Sequence, residues 1–301
     1  MKETYRVTGL MSGSSMDGVD LACCDFDWDG QQWEYDILEA ETVPYSEELL
    51  GKLEHSCNWS RKEIDILDLE LGSHYAGLLN EFHKKKRLFP DFIASHGHTI
   101  LHDPKRGVTL QAGNGRIMAE KTGVTVINDF RSEDVAQGGQ GAPLVPLGDR
   151  MLFHKYEGCL NLGGFANISC ENSKGEQIAY DLCPANMALN SVAALEGLTF
   201  DRDGEMARKG VVQKELFEKL NRLDYYSASG PKSLGREWFL DQFLPLMQES
   251  GIATNDLMAT VLEHIALQIS RGINDAGIQS LLITGGGTLN QTLVERLKHY
   301  T

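Results

Sequence analysis

The segment GLMSGSSMDGVD, residues 9–20, places a turn rich in glycine, serine and aspartate between two apolar stretches. Apolar residues alternate with polar ones on both sides, with Tyr5 and Val7 before the turn and Val19 and Leu21 after it. This pattern is typical of two half-buried strands joined as a hairpin. Glycine permits close approach of a ligand to the backbone, so the turn is a candidate phosphate-binding loop. Taken alone, it is also compatible with an ordinary hairpin.

Two more glycine-rich turns follow apolar stretches further along the chain. GCLNLGGFANISC, residues 158–170, is interpreted as strand, Gly-Gly turn and strand, and SLLITGGGTLN, residues 280–290, as a buried strand, three glycines and the start of a helix near Asn290. Three such turns favour binding of a phosphate chain over three unrelated hairpins. The sequence contains no G-x-x-x-x-G-K-[ST] element and no G-x-G-x-x-G after a strand, which argues against a P-loop protein and a dinucleotide-binding fold.

Composition narrows the class of partner. The chain has 301 residues and a formal net charge of −15, which argues against nucleic acid and anionic membranes. Local phosphate binding through backbone N–H groups and Mg²⁺ remains compatible with that charge. The six cysteines form no C-x-x-C pair, so they are interpreted as buried small residues in a reducing compartment. With no apolar leader and no stretch of about 20 apolar residues, a cytoplasmic protein is predicted.

Periodicity predicts an α/β chain of two domains. Strands are predicted at residues 32–43, 92–100 and 123–127, and helices at 46–54, 64–86, 115–122 and 259–276, with Ser60 and Glu63 as a capping box. Residues 128–146 lack periodicity, and a long irregular stretch inside a compact protein is usually functional. The domain junction is placed near it, giving domain I as residues 1–132 and domain II as residues 133–301.

The order of these turns resembles the sugar-kinase, actin and heat-shock ATPase superfamily. More closely, the segments 9–22, 95–102, 110–146, 160–169 and 283–290 resemble the motifs of the anhydro-N-acetylmuramic acid kinase family. The resemblance implies a two-domain actin-like ATPase (ribonuclease H-like) fold, with mixed sheets flanked by helices and an active-site cleft between the domains. It implies an enzyme that uses ATP to phosphorylate O6 of 1,6-anhydro-N-acetylmuramic acid while water opens the anhydro bridge. The product, N-acetylmuramic acid 6-phosphate, enters peptidoglycan recycling.

The resemblance also implies which residues meet the nucleotide. The two hairpins are expected to face the ATP phosphates from opposite domains, and the GGG turn to border the adenosine. The hydroxyls of Ser12, Ser14 and Ser15 are expected to add donors, and Asp17 and Asp20 to hold Mg²⁺ directly or through water. The expected ATP-binding residues are Gly13, Ser14, Ser15, Met16, Asp17, Gly18, Val19 and Asp20 in the first turn, Gly163, Gly164 and Asn167 in the second, and Gly285, Gly286 and Gly287 in the third.

The reaction needs a base for the attacking water, and the family carries it in an Asp-Thr-Gly-Pro-Gly-Asn motif. The matching run here is Asp181-Leu182-Cys183-Pro184-Ala185-Asn186, which keeps the Asp, Pro and Asn and loses the Thr and both glycines. Asp181 is therefore the predicted catalytic base, expected directly after a strand at residues 178–180. The alternatives are an exposed carboxylate at a strand end or a helix N-cap.

His96, Gly97 and Arg131 are the predicted substrate-binding residues. The resemblance favours sugar contacts from the turn at residues 95–97, and Arg131 suits the lactyl carboxylate of a muramic acid, because a guanidinium binds a carboxylate bidentately. The alternative for His96, with His98 and His102, is a metal site. The alternative for Arg131 is a surface ion pair with Glu133 or Asp134. The PKSLG loop, residues 231–235, is interpreted as structural, with the nucleotide nearby.

Two other functions stay open on the sequence. The altered run after Asp181 is compatible with a related kinase for a different sugar. A non-catalytic ATP-binding regulator is the third hypothesis. The family continues past the GGG strand with a helix that returns to the first domain, and that helix is expected to be absent from a chain ending at Thr301. A homodimer is the statistical expectation for the oligomeric state.

Overall fold

The computed structural model describes residues 3–13, 16, 18–228 and 230–300. The chain divides into two compact units, Met1–Leu144 and Val145–Thr301. Each unit contains one mixed sheet with helices, and each has its own cluster of buried apolar side chains. The predicted α/β fold class with two mixed sheets is confirmed.

The boundary between the units lies twelve residues beyond the predicted junction at residues 132 and 133. Hydrogen bonds explain why residues 133–144 belong to the first unit. Gly141 donates its N–H to Asp134 (2.6 Å), and Arg131 donates to the carbonyl of Gly141 (2.6 Å). The irregular segment thus folds back on residues that precede it.

The sheet of the first unit has the strand order β3-β2-β1-β4-β5, and β6 also pairs with β4. β1, β2 and β3 form an antiparallel meander, whereas β4 runs parallel to β1. On β2, Val19, Leu21 and Cys23 are buried at alternate positions, as predicted for a half-buried strand. The strands are β1 (Glu3–Ser12), β2 (Val19–Trp28), β3 (Trp33–Val43), β4 (Phe92–Asp103), β5 (Val108–Ala112) and β6 (Thr125–Asn128).

The longest helix of this unit starts where its capping box predicts. Ser60 accepts from the backbone N–H of Glu63, and the Glu63 carboxylate accepts from the N–H of Ser60. The helix ends at Arg87, which adopts the left-handed conformation. The helices of the unit are α1 (Glu47–His55), α2 (Arg61–Lys86), α3 (Gly115–Thr122) and α4 (Ser132–Ala136).

The second unit repeats the arrangement of the first. Its sheet has the order β10-β7-β8-β9, in which β7, β8 and β9 form an antiparallel meander and β10 runs parallel to β7. β9-β8-β7-β10 therefore corresponds to β3-β2-β1-β4. The strands are β7 (Gly158–Leu162), β8 (Phe165–Glu171), β9 (Gln177–Pro184) and β10 (Leu281–Thr284).

The core of the second unit is built around one long helix. Helix α11 buries residues along most of its length, from Leu257 to Ile273, against α6, α7, α8 and the sheet. The helices are α5 (Val145–Leu152), α6 (Asn186–Ala193), α7 (Glu205–Lys209), α8 (Lys214–Asn221), α9 (Arg236–Trp238), α10 (Leu244–Gln248), α11 (Thr254–Ala276) and α12 (Gln291–Tyr300), with a π-helical turn at Phe239–Phe243.

Candidate active site

In the described part of the turn between β1 and β2, the backbone is hydrogen-bonded and closely packed. Met16 donates its N–H to the carbonyl of Gly13 (3.2 Å). A Cβ on Gly18 would lie 2.6 Å from the carbonyl oxygen of Val43, so only glycine fits there. Val19 opens β2 and is buried, and Asp20 beside it is exposed. The predicted ligands Ser14, Ser15 and Asp17 lie outside the described residues.

Two side chains at the ends of this hairpin have partners within the first unit. Asp20 accepts a hydrogen bond from the hydroxyl of Thr42 (2.6 Å). Ser12 is only 1% exposed, and its hydroxyl contacts the hydroxyl of Tyr45 and Nδ1 of His98 (2.8 Å). The Ser12 hydroxyl is therefore engaged in the interior, and the prediction that it adds a donor for phosphate is wrong.

The structure brings His96 and Arg131 together, although they are far apart in sequence. Nε2 of His96 accepts from Nε (3.1 Å) and Nη2 (2.9 Å) of Arg131, and Nδ1 contacts the carbonyl of Gly97 (2.9 Å). Burial lowers the pKa of His96, and the neighbouring guanidinium adds to that effect, whereas the Gly97 carbonyl opposes it. A neutral His96 can accept from Arg131, and so it orients the guanidinium.

The bond between His96 and Arg131 bears on the two alternatives predicted for these residues, a surface ion pair of Arg131 and a metal site at His96. Arg131 donates to His96 and to the Gly141 carbonyl, which accounts for three of its nitrogens without Glu133 or Asp134. Nδ1 of His98 contacts Ser12, and Nδ1 of His102 contacts the hydroxyl of Thr109 (3.1 Å). Within residues 3–13, 16, 18–228 and 230–300, no group of three or more His, Cys, Asp or Glu side chains is arranged to hold a metal ion. The histidine metal site finds no support.

In the second unit, the Gly-Gly turn between β7 and β8 is fastened to the start of α6. The N–H of Asn186 donates to the carbonyl of Gly163 (3.1 Å), and those of Ala185 (2.8 Å) and Met187 (3.1 Å) donate to Gly164. The side-chain amide of Asn186 donates to Leu162 (2.9 Å). These bonds engage the carbonyls of the Gly-Gly turn, so they fix the turn to the start of α6.

The GGG turn after β10 lies against the end of β7, directly before the Gly-Gly turn. Gly285 has φ of +84°, and a Cβ there would lie 2.5 Å from Oδ1 of Asn161. A Cβ on Gly287 would lie 2.7 Å from Cβ of Leu162. Glycine at these positions therefore lets the GGG turn approach the end of β7 closely. Asn167 lies on β8, directly opposite Asn161 of β7 and Asp181 of β9.

A cavity of about 490 Å³ opens beside Gly286 and Gly287. Its volume falls within the ordinary range of small-molecule pockets. Its walls come from α6, from the stretch 200–203 and from the residues after the GGG turn, and the lining residues are Asn186, Leu189, Asn190, Phe200, Asp201, Arg202, Asp203, Gly286, Gly287, Leu289 and Asn290.

Asp181 lies inside β9 (Gln177–Pro184), so the prediction that the strand ends before it is wrong. The register shifts beside it: Asn167 pairs with Asp181 and Ala166 with Cys183, which leaves Leu182 as the extra residue of a bulge. Bulges redirect side chains and are common next to active sites. Asp181 is half-buried, and burial raises the pKa of its carboxyl, although the N–H of Leu234 partly opposes that rise by donating to Oδ2 (2.8 Å).

The loop that contacts Asp181 is the one for which the sequence predicts a structural role with the nucleotide nearby. Residues 231–235 supply both the Leu234 donor and the carbonyl of Lys232, which accepts from the N–H of Asp181 (2.9 Å). The hydroxyl of Tyr225 donates to the carbonyl of Asp181 (2.6 Å). The sequence does not predict these contacts with Asp181, because their partners are separated by more than 40 residues along the chain.

Comparison with known proteins identifies the family. The family model described as anhydro-N-acetylmuramic acid kinase matches residues 5–301. This chain belongs to the anhydro-N-acetylmuramic acid kinase family. The expected family is thereby confirmed, and with it the expected class of enzyme, an ATP-dependent kinase of peptidoglycan recycling.

Several relatives carry the name of the anhydro-N-acetylmuramic acid kinase family. The kinase of Sulfurimonas denitrificans is 34% identical, with 99% of this chain and 84% of the relative covered. The kinase of Pasteurella multocida is 35% identical (99% and 82% covered), and that of Pseudomonas putida is 37% identical (96% and 82% covered). Among solved structures, component A of (R)-2-hydroxyglutaryl-CoA dehydratase from Acidaminococcus fermentans gives 13% identity and a TM-score of 0.44, with 98% of this chain and 88% of that chain covered. A likeness of that size carries no argument about the chain.

One further structural finding concerns membranes. No helix in the described part of this family member is both long enough and apolar enough to cross a bilayer. The predicted compartment and the predicted homodimer both stay predictions.

Proposed function

We propose that this chain transfers the γ-phosphoryl group of ATP to O6 of 1,6-anhydro-N-acetylmuramic acid while Asp181 activates the water that opens the anhydro bridge. Asp181 removes one proton from the water, whose oxygen forms a bond to C1 as the C1–O6 bond breaks. O6 then takes the phosphoryl group, which leaves ADP and N-acetylmuramic acid 6-phosphate. The observation that carries this proposal is a half-buried Asp181 on a bulged strand, fixed by one hydrogen bond to its carboxylate and two to its main chain.

The environment of Asp181 suits a general base. Burial raises the pKa of its carboxyl above the ordinary aspartate value, which strengthens it as a proton acceptor. The Leu234 N–H engages only Oδ2, so Oδ1 is the oxygen assigned to the water. Asp181 lies within the paired strand β9, which holds its carboxylate in the fixed geometry that a general base requires.

The nucleotide is assigned to the three glycine-rich turns. We place the nucleoside in the cavity beside Gly286 and Gly287, with Gly285 supporting that turn, and the phosphates at the Gly163–Gly164 turn with Asn167. In the first hairpin, Gly13, Met16, Gly18 and Val19 are assigned to the phosphates, together with Ser14 and Ser15. Backbone approach without a Cβ is the shared property of these turns.

Mg²⁺ is assigned to Asp20 and Asp17. Asp20 is exposed and one of its oxygens accepts from Thr42, which leaves the other oxygen for the ion or for its water. Carboxylate oxygens are the donors that Mg²⁺ prefers, so the residue fits the ion. When bound, the ion supplies neutralisation of phosphate charge.

Substrate recognition is assigned to Arg131, His96 and Gly97. His96 holds Nε and Nη2 of Arg131 on one edge, and Gly141 holds Nη1, so the guanidinium has a defined orientation. We assign the lactyl carboxylate of the sugar to this guanidinium, since burial of the acid against an oriented cation favours a charge-assisted bond.

Incubation of the protein with Mg·ATP and 1,6-anhydro-N-acetylmuramic acid tests the proposal. The wild type should form the 6-phosphate, and Asp181→Asn should lower kcat by about 10²-fold or more, the usual contribution of a general base. Asp241→Asn is the matched control, because Asp241 is exposed on the π-helical turn. Undiminished turnover by a folded Asp181→Asn protein would remove the assignment of the base.

A related kinase for another sugar is the second candidate, favoured by the replaced residues Leu182, Cys183 and Ala185. A panel of anhydro and reducing sugars separates the two, because the second candidate predicts a higher kcat/KM for another sugar.

A further inference from the structure

Residues 231–235, which we call the strap, contact Asp181 at its main-chain N–H and at its side-chain carboxylate. The Leu234 N–H donates to the carboxylate (2.8 Å), and the Lys232 carbonyl accepts from the Asp181 N–H (2.9 Å). On the other side, the hydroxyl of Tyr225 donates to the Asp181 carbonyl (2.6 Å). The main chain and the side chain of Asp181 are thus fixed by the strap and by the short helical turn Asp224–Ser227.

A single ammonium group ties these two segments together. Nζ of Lys232 donates to the carbonyl of Tyr225 (2.8 Å) and to that of Ala228 (2.8 Å). The same Nζ lies 4.4 Å from the centroid of the Tyr225 ring, within range of a cation–π interaction. Lys232 is half-buried, so loss of its charge would leave two carbonyls without this donor and would free the strap from the turn.

We propose that Lys232 is a positioning residue for the base: its ammonium closes the strap on the turn Asp224–Ser227 and so holds the Leu234 N–H against the Asp181 carboxylate. This inference rests on the proposed function, because it assumes that Asp181 acts as the base. It adds a residue that touches neither the water nor the sugar. Its effect reaches the reaction through two hydrogen bonds of the strap and one of Tyr225.

The groups facing Asp181 allow the sign of the effect to be worked out. Tyr225 and Cys183 lie beside it, and burial raises the pKa of both, so both are neutral near neutral pH. Asp275 faces the Lys232 ammonium. The Leu234 N–H lowers the pKa of Asp181 against the larger effect of burial. When the strap is no longer held, this donor weakens while the surrounding burial persists, so the pKa of Asp181 rises and the carboxylate forms only at a higher pH.

The test compares Lys232→Met, Lys232→Ala and Lys232→Arg in steady-state assays with Mg·ATP and the anhydro sugar. Lys232→Met should lower kcat about tenfold or more with little change in the KM for the sugar, because small misplacement of a catalytic group is costly. The acid limb of its kcat/KM profile should move to higher pH. Lys232→Arg keeps a cation and several donors and should recover most of the rate. Lys214→Met, at a largely exposed lysine on α8 that pairs with Glu218, is the matched control and should match the wild type.

The outcomes separate this inference from the proposed function. If the wild type is active and Asp181→Asn is not, while folded Lys232→Met keeps the wild-type kcat and acid limb, the positioning role is overturned and the base stands. A raised KM with an unchanged acid limb also overturns it, since that result describes a substrate contact. An inactive wild type rejects the proposed function instead. Should Lys232→Met fail to fold, Lys232→Ala is judged by the same two readouts.

Discussion

At the scale of single residues, the protonation of Asp181 should limit activity at low pH. The base acts only as the carboxylate, so kcat/KM rises with pH through the pKa of Asp181 in the free enzyme. Burial raises that pKa, so the acid limb should lie above the value of an ordinary aspartate. A pH profile of kcat/KM for the sugar measures it. A limb at or below the ordinary aspartate value would contradict the burial argument.

Arg131 should contribute to binding of the sugar more than to the chemical step. Arg131→Met removes the cation that His96 and Gly141 orient, so the KM for the anhydro sugar should rise about tenfold or more, the usual effect of losing a charge-assisted bond. Arg116→Met is the control, because Arg116 is exposed and pairs with Glu120 on its own helix. A fall in kcat with unchanged KM would place Arg131 elsewhere in the mechanism.

The residues that sequence could identify are those whose neighbours along the chain carry the signal. Asp181 and His96 are predicted from segments that resemble family motifs, and Arg131 from the match of a guanidinium to a carboxylate. The bond between His96 and Arg131 spans 35 residues, and the one between Asp181 and Leu234 spans 53. Such contacts depend on how strands and loops pack, which local periodicity does not encode. For the same reason, the burial of the Ser12 hydroxyl could not be seen.

At the scale of elements, local chemistry predicted helix starts better than strand ends. The Ser60–Glu63 capping box sets the start of α2, and loss of such a cap costs about 1 kcal/mol. β4 runs past its predicted end at Ile100, to Asp103. Pairing with β5 extends it through polar residues, and pairing is a tertiary effect that overrides the weak propensity of those residues.

The pairing of α11 with α12 should depend on one partly buried ion pair. Glu263 is 8% exposed and accepts from Nε of Arg296 (2.7 Å), from Nη2 of Arg296 and from the hydroxyl of Tyr300. Burial alone would raise the pKa of Glu263, but the bonds from Arg296 and Tyr300 outweigh it and hold the pKa below the ordinary value. Arg296→Met should destabilise the unit by about 2 kcal/mol, since it leaves a poorly compensated buried charge.

The pH dependence checks the cause of that loss. A carboxyl with a depressed pKa contributes stability above its unfolded pKa and loses it as pH falls through the folded pKa. The difference in unfolding temperature between wild type and Arg296→Met should therefore be full at neutral pH and shrink in acid. Arg222→Met removes an exposed pair with Glu218 on α8 and should change stability by no more than about 0.5 kcal/mol.

At the scale of the whole molecule, the two units share one plan. The order β3-β2-β1-β4 in the first matches β9-β8-β7-β10 in the second, and in both the glycine-rich turn joins the first two strands of the meander. The sequence revealed the repeated strand–turn–strand pattern without any repeat of residues. It also placed the junction near residues 128–146, where the boundary after Leu144 lies, but not at that residue, because the bonds of Asp134 and Arg131 to Gly141 attach an irregular segment that carries no periodicity.

Because the two units have separate cores, we expect thermal unfolding in more than one calorimetric transition. Ser60→Ala lies in the first unit and Arg296→Met in the second, so each should lower a different transition. Mg·ADP should raise the transition that Arg296→Met lowers, because the cavity beside the GGG turn belongs to the second unit. At a concentration of 100 times its dissociation constant, a ligand adds about 2.7 kcal/mol to the stability of the unit that binds it.

If both variants shift one common transition, the units unfold as a single cooperative body. If nucleotide raises only the transition sensitive to Ser60→Ala, the cavity beside Gly286 is not where the nucleoside binds.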